Sequence, residues 1–314
     1  MITTYVKKFD GNTAALGRTM VLFGGTSSER EVSLRSGAAV LQALQAGGVD
    51  AHGLDVQADA IAKIEAFAPD RVFIALHGPG GEDGKMQAVL DWLAIPYTGS
   101  DHAASALAMD KLKTKQVWQS VGLVTPEYAS LAENSDWQAV LDSLGGQGFV
   151  KPAHEGSSIG MSVVSTAQEL KAAYEKAAHY DAKVLVERRI VGREFTVAVL
   201  NGVALPAIGL KTDHVFYDYD AKYVSNTTQY LCPCGLTQEK EAELQSIAQQ
   251  AFAAVGCKGW GRVDFMQDEA GNFYLLEVNT VPGMTDHSLV PMAARQSGIE
   301  FNELVLEILA QTLV

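Results

Sequence analysis

Two short segments near the end of the chain constrain its fold more than any others. They are Gly261-Arg262-Val263-Asp264-Phe265 and Tyr274-Leu275-Leu276-Glu277-Val278-Asn279, with the turn Asp268-Glu269-Ala270-Gly271-Asn272 between them. Folding the arms symmetrically about that turn predicts an antiparallel hairpin with Asp264 opposite Glu277 and Arg262 opposite Asn279. Side chains alternate faces along a strand. Arg262, Asp264, Glu277 and Asn279 therefore share one face, and Val263, Phe265, Leu276 and Val278 the other. Two carboxylates and an amide oxygen are hard donors suited to Mg²⁺, and the arginine beside them can hold an anion. Taken alone, the pattern fits an amphipathic surface hairpin with solvated charges equally well, and a bulge would shift its register.

The rest of the chain falls into strands and helices of two kinds. Thr19–Phe23 reads as a buried strand, stopped by Gly24-Gly25-Thr26-Ser27-Ser28 and followed by a helical pattern from Glu31 to Leu44. Arg71–Leu76 is a second buried strand, leading into His77-Gly78-Pro79-Gly80-Gly81-Glu82-Asp83-Gly84, a helix over Lys85–Leu93 and a short strand near Ile95–Tyr97. Alternating strands and helices imply a parallel, helix-covered sheet. A lysine-rich helix is expected over Met109–Val121, then strands at Phe149–Lys151, Met161–Val164 and Lys183–Glu187 with a helix over Ala167–Tyr180. Beyond these, Glu194–Leu200 and Val203–Ile208 flank Asn201-Gly202, a strong hairpin signal, and Gln238–Val255 is helical.

Composition excludes several classes of function. The chain has 314 residues, 47% of them hydrophobic, enough for two or three packed units. A net charge of −13 opposes non-specific nucleic-acid binding, which needs cations against phosphates. The three cysteines, Cys232, Cys234 and Cys257, form no disulfide framework and imply a reducing compartment. Cys232-Pro233-Cys234 lacks a second Cys or His pair nearby and reads as two ordinary thiols. No stretch is apolar for the ~20 residues that a membrane helix needs, and Lys7, Lys8, Asp10 and Arg18 break any signal-peptide pattern. A cytoplasmic protein is expected, with residues 1–18 as a loosely held extension.

Lys111 starts a helix, Lys151 ends a strand, and both precede a Gly-Ser loop, Gly156-Ser157-Ser158-Ile159-Gly160, whose N–H groups and hydroxyls can meet phosphate oxygens. Each feature alone is common at surfaces. Glu187 and Glu194, at a strand end and a strand start, can accept from an adenine amino group or ribose hydroxyls, although without the rest of the pattern they read as solvent-facing acids.

As an ordered set these motifs resemble the D-alanine–D-alanine ligase family. The resemblance is carried by Gly24-Gly25-Thr26-Ser27-Ser28-Glu29-Arg30-Glu31-Val32-Ser33, the His77–Gly84 loop, Met109-Asp110-Lys111, Lys151-Pro152, Glu155-Gly156-Ser157-Ser158, Gly259-Trp260-Gly261-Arg262-Val263-Asp264, Glu277-Val278-Asn279-Thr280 and Pro282-Gly283-Met284-Thr285. It spans about residues 19–312. It implies an α/β and α+β chain with the ATP-grasp fold and three domains. These are residues 1–100 with the parallel sheet (1–18 being the extension), 101–190 as the central unit, and 191–314 as the C-terminal catalytic unit. It also implies a homodimer, ATP and D-alanine as substrates, and two Mg²⁺ ions, with Mn²⁺ able to substitute. By resemblance, Glu29 holds the ammonium of the first D-alanine, while Ser157 and Tyr223 bond to Glu29 and tie down a lid. Arg262 and the N–H of Gly283 face a developing oxyanion; Asp264, Glu277 and Asn279 hold the metal ions. Lys111 and Lys151 contact the α/β-phosphates, Lys222 the transferred phosphoryl group, and Glu187 and Glu194 the adenine and ribose. Ser288 binds the carboxylate of the second D-alanine, with Leu289 and His77 beside it.

Val281 departs from the family pattern, which often has serine there, and bears only on fine substrate preference. Another ATP-grasp ligase would keep the nucleotide residues and change Glu29, Tyr223 and Ser288, all of which are present. A nucleotide-binding regulatory module would lose Arg262, Asp264 or Glu277, and a dinucleotide-binding oxidoreductase would need a glycine spacing that Gly24-Gly25 lacks. In this family a tyrosine at the position of Tyr223 goes with dipeptide formation and a phenylalanine with D-alanyl-D-lactate. Tyr223→Phe is expected to raise the share of depsipeptide when D-alanine and D-lactate compete at neutral pH. An unchanged product ratio would refute that role.

Overall fold

Met20, Val21 and Leu22 are apolar toward both faces, and β1 (Arg18–Gly24) accordingly lies in the middle of a sheet, between β2 (Asp50–Val56) and β3 (Arg71–Ile74). Both pairings are parallel, as expected where helices cover a sheet. The computed structural model describes residues 5–156, 159–211, 228–285 and 288–313. The crossovers are α1 (Arg30–Ala46) and α2 (Ala60–Phe67). β2 is an edge strand with one buried residue, Ala51, so no apolar run announces it in the sequence. The strand expected at Ile95–Tyr97 reduces to a single parallel bridge between Val72 and Tyr97. α3 (Lys85–Trp92) precedes it.

The lysine-rich helix expected over Met109–Val121 is two helices, α4 (His102–Met109) and α5 (Lys111–Ser120). Asp110 breaks them. Its backbone is extended, and its carboxylate accepts from Lys113 N at 3.0 Å as an N-cap. Asp is a strong N-cap residue, and here that local preference sets Lys111 at the very start of a helix.

The central sheet comprises β4 (Tyr128–Leu131), β5 (Gly148–Pro152), β6 (Ser162–Val164) and β7 (Val184–Arg188) in the antiparallel order β4-β7-β5-β6. α6 (Trp137–Ser143) and α7 (Ala167–Ala178) cover one face, burying Leu141, Leu170, Ala173 and Ala177 against Val150 and Val186. The remaining sheet comprises β8 (Gly192–Leu200), β9 (Val203–Ala204), β10 (Ile208–Lys211), β11 (Gln229–Leu231), β12 (Trp260–Asp268) and β13 (Phe273–Asn279). Its order is β11-β10-β8-β12-β13, with β9 on β8 across the Asn201-Gly202 turn. The strand expected over Val203–Ile208 splits into β9 and β10, because Pro206 lies between them and has no N–H to give a ladder.

The diagnostic hairpin forms with the expected pairing. Arg262 faces Asn279 and Asp264 faces Glu277. A bulge follows immediately, between Asp264 and Phe265, after which Phe265 faces Leu275. Leu275 therefore turns inward and is fully buried, where the symmetric reading had put Leu276. The bulge falls one residue beyond the acidic pair and leaves it intact.

The packed core crosses the sheet boundaries. α4 and α5 send Ala104, Ala108 and Trp118 into the core of the last sheet, with Phe195, Phe252 and Phe265. The helices Leu289–Gln296 and Phe301–Ala310 pack into the same cluster as Met20, Leu22 and Phe73 of the first sheet.

Residues 5–18 are held firmly, against the expectation of a loose extension. Tyr5 and Leu16 are buried. Glu307, on the last long helix and only 3% exposed, accepts from Tyr5 Oη at 3.0 Å, from Lys8 N at 3.1 Å and from Phe9 N at 3.0 Å. A buried carboxylate needs such donors, and the N-terminal backbone supplies them. A scan for apolar runs misses this segment because its anchors are single residues. Tyr5→Ala is expected to cost about 3 kcal/mol in urea denaturation and to open residues 5–12 to limited proteolysis.

Candidate functional site

The central sheet and the last sheet meet along a line of charged side chains. Lys111, at the first position of α5, donates from Nζ to the carbonyl of Glu155 at 2.7 Å and lies 3.4 Å from Glu277 Oε2 on β13. This contact brings a lysine ahead of the central sheet against the acidic hairpin, as the motif order implies. On the hairpin, Arg262 clasps Asp264 through Nε and Nη2, both at 2.8 Å. Asp264 also accepts from Thr196 Oγ1 at 2.6 Å and from Asn279 Nδ2 at 3.0 Å. Asp264, Glu277 and Asn279 thus adjoin across one ladder. Among the described residues, no group of three or more His, Cys, Asp and Glu side chains could hold a metal ion. The available donor set is two carboxylates and the Asn279 amide oxygen. These are hard donors of the type that suits Mg²⁺, with several water or phosphate oxygens left to complete its shell.

Lys151 at the end of β5 and Glu187 at the end of β7 are both buried and bonded at 2.9 Å. A third member, Lys115, is fully buried one turn along α5 from Lys111, with Nζ 3.0 Å from Glu187 Oε1. Glu187 is thus bracketed by two ammonium groups, Lys151 on Oε2 and Lys115 on Oε1. Burial pushes the Lys115 ammonium down to about 8 against the pull of Glu187, while the two neighbouring lysines outweigh burial and hold Glu187 below the usual carboxylate range. Sequence reading missed Lys115. The available signal was its place four residues after Lys111, on the same helical face.

A second cluster lies where the first sheet's loops meet the central unit. Glu29, buried just before α1, has its carboxylate so close to two glycines that a Cβ at Gly78 would fall 2.7 Å from Oε2, and one at Gly156 2.9 Å. A side chain at either position would displace the Glu29 carboxylate. Burial raises the Glu155 carboxyl above its ordinary range, with Glu29 adding to it. Burial likewise raises Glu82, opposed by His77. Glu29 thus has a second acid within electrostatic reach on each side, an arrangement that favours a cation.

His77 donates from Nδ1 to the Val281 carbonyl at 2.8 Å, and its Nε2 lies 2.9 Å from Ser36 Oγ. Ser36 in turn accepts from Met284 N at 3.1 Å. His77 therefore fixes the turn that carries Gly283. Ser288 Oγ accepts from Thr285 N at 2.9 Å, close enough to Gly283 that a Cβ there would lie 3.0 Å away. Leu289 is buried beside it. Glu194 lies on β8, opposite Met266 and Leu210. Ser157, Lys222 and Tyr223 lie outside the described residues.

The comparisons agree on one family. Residues 117–310 match the family model described as D-ala D-ala ligase C-terminus, and residues 52–100 its N-terminus counterpart. The chain is 99% identical to a D-alanine–D-alanine ligase of Saccharophagus degradans over 314 residues, covering 100% of both. It is 60% identical to that of Pseudomonas putida over 299 residues, covering 95% of this chain and 94% of the relative. Among solved structures, the D-alanine–D-alanine ligase from Bacillus anthracis complexed with ATP superposes with a TM-score of 0.84 at 30% identity, covering 95% of this chain and 97% of that one. A D-Ala:D-Ser ligase from Enterococcus faecalis gives 0.80 at 29% identity, covering 94% and 99%.

Among the described residues, none of the contacts above involves a cysteine. Burial pushes the Cys257 thiol up to about 12, so almost none is thiolate near neutrality. Iodoacetamide at pH 7.5 is expected to leave Cys257 unmodified in the folded protein, as peptide mass mapping would show, and Cys257→Ala to keep turnover within about twofold.

Proposed function

The chain belongs to the D-alanine–D-alanine ligase family, and on that premise we propose how its residues carry the reaction. It is an ATP-dependent ligase that joins two D-alanines into D-alanyl-D-alanine for peptidoglycan precursor synthesis. A carboxylate is a poor electrophile because oxide is a poor leaving group. In the proposed route an oxygen of the first D-alanine's carboxylate attacks the γ-phosphorus of ATP, the bond to the bridging oxygen breaks, and ADP leaves. The amine of the second D-alanine then adds to the acyl phosphate carbon, and the tetrahedral intermediate collapses with loss of phosphate. No covalent enzyme intermediate is required. Positioning and charge neutralisation supply most of the catalysis, and the site must exclude water from the acyl phosphate.

The observation that carries this reading is the 3.4 Å approach of Lys111 to Glu277, beside the Arg262–Asp264–Asn279 set. It supports a single nucleotide-sized cleft lined by cations on one side and acids on the other. Lys111, Lys151 and Lys222 are assigned to the phosphates, and Glu187 and Glu194 to the adenine and ribose. Asp264, Glu277 and Asn279 are assigned to two Mg²⁺ ions, or Mn²⁺ in their place, which when bound neutralise phosphate charge. Glu29 is assigned to the first D-alanine's ammonium, supported by the neighbouring acids Glu82 and Glu155. Ser157 and Tyr223 are assigned to the lid over it. Arg262 and the Gly283 N–H are assigned to the oxyanion; such donors contribute about 3 kcal/mol each. Ser288, Leu289 and His77 are assigned to the second D-alanine.

The units 1–100, 101–190 and 191–314 are proposed as the three domains, and a homodimer in the cytoplasm as the working form. Two-fold assemblies are the commonest oligomers, and among the described residues no helix is long and apolar enough to cross a membrane.

Phosphate release from Mg²⁺-ATP is expected with D-alanine and not with L-alanine or D-lactate alone; no D-alanine-dependent release from folded protein would remove the proposal. Glu277→Gln is expected to lower kcat/KM by about a hundredfold or more without lowering Tm.

A further inference from the structure

We infer that Lys115 is a positioning residue for the nucleotide: it holds Glu187 of the central sheet to the strand that carries Glu277, so that the two sheets present one fixed surface to ATP. The inference rests on the functional reading above and deepens it at the same site.

Lys115 Nζ has two close polar partners. One is Glu187 Oε1, 3.0 Å away on β7. The other is Thr125 Oγ1, which accepts from Lys115 at 2.5 Å. A hydroxyl that accepts can still donate its own proton, and Thr125 Oγ1 donates to the Leu275 carbonyl at 2.8 Å. The same edge of the strand is held a second time, because Leu275 N donates to the Val124 carbonyl at 2.9 Å. Leu275 is two residues before Glu277 on β13. The chain of contacts therefore runs from Glu187 through Lys115 and Thr125 to the backbone of the acidic hairpin. It joins a residue assigned to adenine on one sheet to a residue assigned to metal on the other.

Packing alone does not account for a lysine here. Lys115 is fully buried, and replacing a whole buried ion pair by well-packed apolar side chains of similar volume is often neutral for stability. What the ammonium adds is direction and charge. Tyr128 on β4 contributes a ring face 5.8 Å from Nζ, and Lys151 supplies a second cation to the same carboxylate. One carboxylate between two ammonium groups leaves the cluster net positive, the sign that suits phosphate. Lys151 also bonds Glu187, and it is Lys115 that links this carboxylate to the hairpin, through Thr125.

The test uses the full-length chain and three proteins: wild type, Lys115→Met and Thr125→Val. Calorimetric binding of Mg²⁺-ATP is the first readout, and the KM values for ATP and D-alanine are the second. Lys115→Met is expected to weaken ATP binding by about tenfold or more and to raise the ATP KM in step, with the D-alanine KM moved less than about threefold. Thr125→Val keeps both charges and cuts only the link to β13; it is expected to act in the same direction by about threefold. ATP affinity unchanged in a folded Lys115→Met protein overturns the inference, as does an equal loss for ATP and D-alanine. If Lys115→Met does not fold, Thr125→Val decides: unchanged ATP affinity there overturns it. Failure of the wild type to form dipeptide would instead strike the functional reading, since ATP binding by the variants is measured without turnover.

Discussion

A buried carboxylate costs several kcal/mol unless a cation or several donors lie against it, and the middle of this molecule is arranged around that constraint. Glu187 is buried between Lys115 and Lys151. Glu277 faces Lys111, and Asp264 is clasped by Arg262 and further bonded to Thr196 and Asn279. Each pair joins elements far apart in the chain or fixes the side chains of one hairpin. The pairs set how the central and last sheets approach, because neither carboxylate nor ammonium can be left alone there. The apolar cores give the sheets their stability, while the charges at the junction give them their relative position.

The same logic ties the first unit to the rest. Glu307, buried near the end of the chain, draws in Tyr5, Lys8 and Phe9 from the beginning. His77 bonds the Val281 carbonyl, and Ser36 bonds Met284 N, so the turn with Gly283 is set by loops and a helix of the first unit. The helices Leu289–Gln296 and Phe301–Ala310 then bury Leu289, Val290, Leu304 and Ile308 in the core of the first sheet. In the proposed reading, sites for two small substrates draw on loops from several parts of the chain, and these contacts hold those loops together.

Legibility from the sequence tracked how local the determining interaction is. The hairpin pairing of Asp264 with Glu277 was legible because a single turn sets it, and the bulge at Phe265 was not, because packing of Leu275 against the core decides it. Apolar runs announced β1, β3 and β8. They did not announce β2, whose residues are largely exposed, nor the ordering of residues 5–18, which depends on partners about 300 residues away. Asp110 was read inside a helix and in fact caps one, since an N-cap competes with helix continuation through a local hydrogen bond. Of the candidate site, Lys111, Arg262, Asp264, Glu277 and Asn279 come together as their motif order implied. Lys115 was missed: a lysine in a lysine-rich helix reads as solvated, and its place four residues after Lys111 was a weak signal beside the tertiary packing that buries it.

The internal ion pairs also bear on how the cleft would receive its charged ligand. A site that waited with unpaired buried charges would be unstable, whereas one lined with fully neutralised apolar residues would have nothing to offer a triphosphate. Pairing lysines with acids avoids both. In the proposed reaction, phosphate oxygens can take over the ammonium groups of Lys111 and Lys151, and divalent cations can take over the carboxylates of Glu277 and Asp264. Each group exchanges one partner of opposite charge for another, so little new desolvation accompanies binding. The donors already stand in fixed positions, which is what makes electrostatic stabilisation effective in a water-poor site. The fold alone does not select the second substrate, since a D-Ala:D-Ser ligase shares it at a TM-score of 0.80. In the proposed reading that choice falls to side chains such as Tyr223, Ser288 and Leu289.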